Sequence, residues 1–281
     1  MNVISLNYEP LGAVTLHFQQ KIADLGRRFS GFTRMNPVRA STVAELNSIR
    51  DSLWPCSTQH VLIRVGGVGD GGYLLPDDLQ GISHLFSPGI ANNWSFELEI
   101  RRITGAKVHL IDVCDTDDSC PFPVEKGYLG GFSTNEQVGI NDWLASHLDE
   151  NDAQDDFLLQ MDVEGSEYQI LSGLERAYLS RFRVIVVEFH RLDLLASADW
   201  LAYVFRPVFE RLLEQFTVVH AHPNNTGRSI NISGVEFPEL LEVTFLRNDR
   251  VDSTKPVKSL PNVLDVDNDS KSLPISFKGH A

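Results

Sequence analysis

Hydrophobic residues follow two alternating patterns between residues 82 and 248. Short, continuous apolar runs such as HLF, VHLI, FLLQM and VIVV are separated by longer segments whose apolar residues recur at helical spacing. Continuous apolar runs are typical of strands buried on both faces, and alternation with amphipathic helices predicts a mostly parallel sheet covered on both sides. We therefore expect a doubly wound, Rossmann-like α/β fold over residues 60–248.

The pattern predicts six strands and four helices in this region. The strands are expected in ISHLFSPG, AKVHLIDV, DFLLQMDV, FRVIVVEFH, TVVHAH and LLEVTFLRN. The helices are expected in NNWSFELEIRRITG, INDWLASHLDE, SEYQILSGLERAYL and WLAYVFRPVFERLLEQF. Asn92 or Asn93 is the expected cap of the first of these helices, and Gly105 is expected to end it.

Two regions flank the alternating pattern. Residues 1–59 are expected to form an N-terminal extension with one helix, STVAELNSIRDSL, capped by Ser41 or Thr42. Residues 249–281 are polar and rich in turn formers, so they predict a tail that is either loosely ordered or wrapped around the body.

The segment HVLIRVGGVGDGGYLLPDD, at the start of the main region, contains a glycine-rich turn. Its glycines match the dinucleotide pattern GxGxxG at Gly67, Gly69 and Gly72. That pattern binds a pyrophosphate only where a helix follows, and here Pro76 prevents an early helix. The sequence therefore favours a β-hairpin, and a nicotinamide-dependent oxidoreductase is kept only as a rival reading.

Charge and cysteine content narrow the class of partner. The net charge of −14 and the lack of a dense basic run argue against nucleic acid and anionic membranes as partners. The three cysteines fit neither a disulfide framework nor a zinc pattern. No signal peptide and no run of about 18 apolar residues is present, so we expect a cytoplasmic protein without a membrane span.

Polar residues stand where the predicted strands end, which is where doubly wound sheets bind ligands. Gly89 ends one strand, and a helix starting at Asn92 or Asn93 would offer free N–H groups to a ligand carboxylate. Asp112 ends the next strand, where an acid can bind ribose hydroxyls. The structural alternative is a turn glycine, a helix cap and a loop acid.

The segment LLQMDVEGSEYQIL places three carboxylates at the end of another strand. Glu164 and Glu167 are explained by the positive end of the following helix, whereas Asp162 precedes the turn and should lie in the crevice. Glu188 and His190 end the next apolar strand and, two residues apart, point the same way. Ionisable groups on adjacent strand ends favour a functional site over a satisfied core histidine.

These segments carry a family resemblance. LLQMDVEGSEYQILSG resembles the signature of the FkbM-type S-adenosylmethionine-dependent methyltransferases, and VIVVEFH resembles the Glu-x-His segment of a related subgroup. Arg64, the DGGY segment at 70–73 and the LFSPGI turn match further elements of that subgroup. The resemblance covers residues 60–248. The first motif, SPGIANN, is poorer in glycine than is usual in methyltransferases.

The resemblance implies a class I methyltransferase-like fold and S-adenosylmethionine as cofactor. We expect the donor to be bound by Gly89, Asn92, Asn93, Asp112, Phe132, Ser133 and Asp162, with the adenine near GGFSTN at 130–135. Catalysis is assigned to His190, Asp162 and Glu188, with His190 the first choice as base because histidine titrates near neutrality. Asp162 is the alternative base.

The expected acceptor is a small molecule with a hydroxyl group, such as a saccharide. Its contacts are assigned to Asp70, Tyr73, Glu164, His222 and Asn224, with the hairpin as a possible lid. Asp162, Glu188 and a histidine could also hold a divalent cation, because Mg²⁺ prefers oxygen ligands; the alternative for PNNTG is a plain turn. The rival function is a non-catalytic protein that binds glycan or metal on a methyltransferase scaffold.

Overall fold

The computed structural model describes residues 39–114 and 116–279. Its strands, in chain order, are β1 (Cys56–Ser57), β2 (Leu62–Gly66), β3 (Gly72–Pro76), β4 (Ile82–Pro88), β5 (Lys107–Asp112), β6 (Val124–Lys126), β7 (Tyr128–Gly130), β8 (Gln137–Gly139), β9 (Asp156–Met161), β10 (Phe182–Phe189), β11 (Phe216–Pro223), β12 (Ser229–Ile232), β13 (Val235–Pro238), β14 (Leu241–Arg247) and β15 (Lys255–Pro256).

Six α-helical elements accompany these strands in the described residues, together with three 3₁₀ turns at Glu150–Gln154, Leu192–Ala196 and Asn248–Arg250. The α-helical elements are α1 (Val43–Leu53), α2 (Ser95–Thr104), α3 (Ile140–His147), α4 (Glu167–Gly173), α5 (Arg176–Leu179) and α6, a continuous helical run built from Ala198–Trp200, a π-helical turn Leu201–Phe205 and Arg206–Leu213. In that part of the chain, no helix is both long enough and apolar enough to cross a bilayer.

Seven of the strands form the central sheet, in the order β6-β5-β4-β9-β10-β14-β11. Five adjacent strands of this sheet, β6, β5, β4, β9 and β10, run parallel. β14 is antiparallel to both of its neighbours, β10 and β11. From β4 the chain moves outward to β5 and β6, and from β9 it moves outward the other way to β10. The predicted mostly parallel α/β sheet is confirmed, with a switch point between β4 and β9, the position where such sheets bind ligands.

Hydrophobic side chains cover both faces of the sheet. Alternate residues of β9 and β10 belong to different core clusters, because successive side chains of a strand point to opposite faces. One cluster contains buried residues of α1, α3, α4 and α6, and the other contains residues of α2 and of the β2–β3 pair. Every residue of β10 is buried, Arg183 and Glu188 included, and burial on both faces explains the continuous apolar run VIVV between those two residues.

The predicted N-terminal helix and hairpin are both present. Thr42 caps α1 with a reciprocal hydrogen-bond pair to Glu45, as the cap signal indicated. β2 and β3 pair antiparallel from Leu62–Pro76 to Gly66–Gly72, so the glycine-rich segment is a hairpin turn. No helix follows it, and the dinucleotide pattern is accounted for by the turn.

Two helix predictions need correction. The helix predicted from Asn92 begins after Trp94, because Asn92 has a positive φ and Asn93 uses its side chain to accept hydrogen bonds from Ser95. The helix predicted from SEYQ to AYL is divided into α4 and α5 at Leu174, where the backbone is extended. The short strand pairs β1–β15, β7–β8 and β12–β13 were not predicted.

The C-terminal tail wraps around the body. The indole N–H of Trp54 donates to the carbonyl oxygen of Val257, and Phe277 is buried with its ring centroid 5.7 Å from that of Trp54. Of the two alternatives for this segment, the wrapped one is confirmed. The division of the chain at residues 59 and 248 stays a prediction, and residues 1–38 of the predicted extension lie outside the described chain.

Candidate functional site

Two cavities meet at the carboxyl ends of β4, β9 and β10. The larger has a volume of about 340 Å³ and is lined by Asp70, Asp162, Glu164, Glu188, His190, Asn224, Thr226, Gly227, Glu239 and Leu240. The smaller, of about 60 Å³, is lined by Asp70, Gly71, Tyr73, Gly89, Ile90, Ala91, Asn93, Phe96, Glu97, Gln160 and Asp162. Asp70 and Asp162 line both, so they mark the boundary between the two spaces.

The turn after β4 requires glycine. Gly89 has a φ of +81°, and a Cβ atom there would overlap the carbonyl oxygen of Asp162 at the end of β9. Its N–H donates to the carbonyl oxygen of Ile111 in β5. A single glycine therefore lets the ends of three neighbouring strands come together, which places the β9 carboxylate beside the first turn.

Asp112, the acid predicted to bind ribose, organises this turn. One carboxylate oxygen accepts from the N–H groups of Ile90 (2.9 Å) and Ala91 (3.1 Å), and the other accepts from the N–H of Cys114 (2.7 Å). Asp112 is 8% exposed and lines neither cavity. The carboxylate thus occupies the turn N–H groups expected to face a ligand, and its contact with ribose stays a prediction.

His190 stands among four carboxylates at the floor of the larger cavity. Its Nδ1 lies 2.9 Å from Oε1 of Glu167, a fully buried carboxylate that also accepts from the N–H groups of Val163 and Gly165. Its Nε2 lies 3.5 Å from Glu164, 3.6 Å from Glu188 and 3.8 Å from Asp162. The ring is therefore held by one carboxylate and faces three others.

These neighbours change the protonation of the histidine. Burial alone would lower the pKa of His190, but the hydrogen bond to Glu167 and the negative charges of Glu167, Glu188 and Asp162 outweigh it and raise the pKa to about 10. In the protein without ligands, His190 is therefore protonated at neutral pH. A protonated imidazole cannot accept a proton, which weighs against the predicted role of His190 as base.

The carboxylates themselves are shifted upward. Burial and the charge of Glu188 raise the pKa of Asp162 well above its usual value. Burial and the charge of Glu242 raise the pKa of Glu188 to about 8, against a lowering effect of His190 and of the hydrogen bond from Asn224. Burial is also the main reason why the pKa of Glu242 rises to about 8. Buried groups of like charge thus share one small region.

Two asparagines hold these carboxylates. The Nδ2 of Asn224 donates to both oxygens of Glu188, at 3.0 and 3.2 Å. The Nδ2 of Asn268, from the tail, donates to Glu242 at 2.6 Å and to Asp70 at 3.2 Å. Asn224, in the turn after β11, lines the larger cavity, and Asn268 brings the tail into contact with Asp70 and Glu242 beside it; the role of Asn224 in acceptor binding stays a prediction.

A chain of buried polar groups lies beneath the smaller cavity. Ser87 Oγ is 2.6 Å from both Glu97 Oε1 and Gln160 Oε1, and Gln160 Nε2 donates to the hydroxyl of Tyr73 at 3.2 Å. Burial raises the pKa of Glu97 to about 6 and that of Tyr73 well above its ordinary value. A serine hydroxyl has one proton, so below about pH 6 protonated Glu97 can donate to Ser87 while Ser87 donates to Gln160.

The structure brings together only part of the predicted site. Gly89, Asn93 and Tyr73 line the smaller cavity, and most predicted acceptor contacts line the larger one. Phe132 is exposed, and Ser133 contacts Asp142 and Gly139; neither lines a cavity. The same holds for Asn92, whose side chain accepts from the N–H of Asp117, and for His222, which faces Asp265 of the tail.

Three polar residues of this region were not predicted. Glu242 and Gln160 interrupt the apolar strands LLEVTFL and FLLQM, and an ionisable or amide side chain inside a buried strand was the available signal. In the sheet, Glu242 pairs with Glu188 on one side and with His222 on the other. The contribution of Asn268 has no such signal, because the tail reaches the site only through the three-dimensional fold.

The comparison with protein families agrees with the motifs. Residues 130–227 match the family model for the Methyltransferase FkbM domain. No curated protein matches the chain. Among solved structures, it is similar to a Burkholderia thailandensis 1,6-didemethyltoxoflavin-N1-methyltransferase with bound 1,6-didemethyltoxoflavin and S-adenosylhomocysteine, at 12% identity and a TM-score of 0.28 over 87% of this chain and 93% of that chain.

The matched segment contains the centre of the site. It extends from β7 to the turn after β11 and so includes Asp162, Glu188, His190 and Asn224, which all line the larger cavity. Two of the motifs that carry the resemblance, DVEGSE and EFH, lie within it, whereas Arg64, DGGY and LFSPGI lie before it. Residues 130–227 are thus similar to the methyltransferase FkbM domain.

Proposed function

We infer that the protein transfers a methyl group from S-adenosylmethionine to a hydroxyl oxygen of an uncharged, polar small molecule such as a saccharide. The observation that carries this proposal is the meeting of two cavities at Asp162, one at the Gly89 turn and one lined by carboxylates. A group-transfer enzyme needs two adjoining binding spaces of this kind. The family match over residues 130–227 supports methyl transfer as the reaction.

The smaller cavity suits the charged end of the donor. S-adenosylmethionine carries a sulfonium and an ammonium group, and Asp70 and Asp162 offer carboxylates to both. Asp162 lines this cavity as well as the larger one, so its carboxylate can reach the donor. The cavity accommodates only part of the donor, so we place the amino-acid end there; the adenine position near Phe132 stays a prediction.

The larger cavity suits a neutral acceptor with several hydroxyl groups. Five of its ten lining residues are carboxylates, Asn224 and Thr226 are polar, and no lysine or arginine lines it among the described residues. Carboxylates accept hydrogen bonds from hydroxyl groups and repel phosphate or carboxylate groups on a ligand. The lining therefore favours polyols over anionic acceptors.

The reaction is an in-line displacement. The acceptor oxygen forms a bond to the methyl carbon, the carbon–sulfur bond breaks with its electron pair staying on sulfur, and the hydroxyl proton passes to a base. Alignment of the two reactants can supply about 7–11 kcal/mol. Asp162 reaches both spaces and can accept the proton in its ionised form, whereas protonated His190 is suited to stabilising negative charge on the acceptor oxygen.

Ligand binding and turnover test the proposal separately. Isothermal titration should detect S-adenosylhomocysteine binding to the intact protein, and Asp162→Ala and Asp112→Ala should both weaken it. Asp199→Asn, a change at an exposed position on α6, serves as the control and should bind as wild type does. A complete lack of heat with either S-adenosylmethionine or its demethylated product would remove the donor from the proposal. Transfer of labelled methyl groups should then be detected with neutral saccharides and not with their phosphates.

One observation favours the rival function. Asp112 already occupies the N–H groups of Ile90 and Ala91, and the turn contains a single glycine, so a protein that binds glycan without using a methyl donor would also fit this loop. Binding of a neutral saccharide by a protein that binds neither S-adenosylmethionine nor S-adenosylhomocysteine would establish that alternative.

A further inference from the structure

We propose that Asp162, Glu188 and His190 hold a divalent cation at the floor of the larger cavity. The cation would bind the acceptor hydroxyl, and this second part rests on the proposed function. The three residues offer one ligand atom each, a carboxylate oxygen from both acids and Nε2 of the histidine, and these atoms all lie within 4.8 Å of one another.

The spacing of these atoms leaves room for an ion between them. Nε2 of His190 lies 3.6 Å from Glu188 and 3.8 Å from Asp162, too far for a direct hydrogen bond. Two atoms that are each about 2.1 Å from a metal ion lie about 3.0–3.6 Å apart at bond angles of about 90–120°. A small adjustment of the side chains therefore satisfies the coordination distances.

The histidine is prepared as a ligand. Its ring is more than nine-tenths buried, at 7% exposure, and Nε2 makes no hydrogen bond although it faces the cavity. Nδ1 is hydrogen-bonded to the buried carboxylate of Glu167. In metal sites the second ring nitrogen of a ligating histidine usually donates to a carboxylate, which leaves the other nitrogen for the metal. The Glu167–His190 pair has this arrangement.

The acidic ligands are also oriented, and in the protein without ligands protonated His190 faces them; a divalent ion would take the place of its Nε2 proton. Glu188 is 3% exposed and is held through both oxygens by Asn224, while Oδ1 of Asp162 is buried and has no hydrogen-bond partner. No lysine or arginine lines the larger cavity among the described residues. Buried carboxylates without a cation are unfavourable, and a divalent ion would offset their repulsion.

A neighbouring group of acids is a weaker candidate. Asp70, Glu188 and Glu242 also lie close enough together to hold an ion. Asn268, however, donates a hydrogen bond to both Asp70 and Glu242, so the carboxylates of that group already have a shared donor. The unsatisfied atoms lie on the His190 side of Glu188, which is why we place the cation there.

Two carboxylates and one imidazole suit Mn²⁺, since carboxylates favour Mg²⁺ and Mn²⁺ and imidazole favours the transition metals. In this position the ion would bind the acceptor hydroxyl oxygen and make its proton more acidic. One oxygen of Asp162 would be a ligand, and the other would remain available for the released proton.

The test is a Mn²⁺ titration of the full chain after treatment with EDTA. Binding is measured by calorimetry and by the electron paramagnetic resonance signal of free Mn²⁺. Wild type should bind one ion. Glu188→Gln, which removes a ligand, should lose most of this affinity, and Glu167→Gln, which removes the orienting carboxylate, should weaken it about 10- to 100-fold. Glu242→Gln is the matched control, because it removes a buried carboxylate from the same cluster without removing a ligand, and its loss should be several-fold smaller.

Each outcome decides between explanations. Equal losses in Glu188→Gln and Glu242→Gln would mean that general negative charge attracts the ion, and the assignment of ligands would be wrong. Lack of Mn²⁺ binding by wild type, together with normal binding of S-adenosylhomocysteine, would overturn the cation site and leave the proposed function standing. Thermal melting and S-adenosylhomocysteine binding of each variant show whether it is folded.

Discussion

The side chain of Glu97 lies beneath the smaller cavity, 2% exposed and 2.6 Å from the hydroxyl of Ser87. Burial raises its pKa from 4.5 to about 6. A carboxyl group with a raised pKa binds its proton more tightly in the folded state, so its contribution to stability is complete below about pH 4.5 and is lost as the pH rises through 6. Replacing the Glu97 carboxyl with a neutral group should therefore make the unfolding free energy fall less as the pH rises.

Glu97→Gln tests this. The amide can donate to Ser87 as the protonated carboxyl does, so the buried chain to Gln160 and Tyr73 stays satisfied. Between pH 4.5 and 8, the variant should gain about 2 kcal/mol in unfolding free energy relative to wild type, from the shift of about 1.5 units. Urea unfolding across this range measures the difference, with the exposed Glu210→Gln as control. A difference that does not change with pH would contradict the assigned protonation.

At the same scale, some site residues could be identified from sequence and others could not. Asp162, Glu188 and His190 follow apolar strands, and parallel strands end at one edge of a sheet, so their meeting was predictable. The protonation of His190 was not predictable from the sequence, because it depends on Glu167. In the sequence, Glu167 has only the pattern of a residue in the first turn of a helix. Its contact with the histidine exists only after α4 folds back over β10.

The tail from β15 onward is the element whose role the sequence left open. Asp265 lies between two buried histidines of β11, 3.0 Å from Nε2 of His220 and 3.6 Å from Nδ1 of His222. Burial would raise the pKa of Asp265, but these histidines outweigh it and lower the pKa well below its usual value. Three residues further on, Asn268 contacts Asp70 and Glu242. The contact of Asp265 with β11 therefore fastens the segment that walls the site.

Asp265→Asn should weaken the contact between the tail and β11. The amide cannot supply the negative charge that the histidines pair with, and loss of a hydrogen bond to a charged group costs about 1.5–3 kcal/mol. We expect a lower midpoint of urea unfolding and faster cleavage within the tail by a protease at native conditions. Asp252→Asn, an exposed position just before β15, is the control. Unchanged cleavage and unchanged stability would show that Asp265 does not hold the tail.

The strands and helices differ in how far the sequence predicted them. Strands β4, β5, β9, β10, β11 and β14 were predicted because burial on both faces demands continuous apolar residues. The pair β12–β13 was missed because it lies outside the main sheet and has only a mixed pattern of burial. The start of α2 was misplaced, since Asn93 resembles a cap in sequence but donates its amide to the carbonyl oxygen of Asp70 in the hairpin.

For the molecule as a whole, charge is the property that connects composition with the proposed reaction. The chain carries a net charge of −14, and the two cavities share Asp70 and Asp162. S-adenosylmethionine and S-adenosylhomocysteine have the same ammonium and carboxylate groups and differ by one methyl group and the sulfonium charge. Comparison of the two therefore isolates the response of the protein to a single positive charge at the reacting atom.

We expect S-adenosylmethionine to bind more tightly at low ionic strength. Two opposite unit charges about 4 Å apart attract by about 1 kcal/mol in water, which corresponds to about fivefold in affinity. The Debye length falls from about 10 Å at 0.1 M salt to about 3 Å at 1 M. The part of this preference that comes from exposed acids should therefore shrink with added salt, while more of the part from half-buried Asp162 should persist. Calorimetry of both ligands at the two salt concentrations, repeated with Asp162→Asn, separates the contribution of the exposed acids from that of Asp162. Equal affinities for the two ligands in wild type would place the sulfonium away from the carboxylates and contradict the position assigned to the donor.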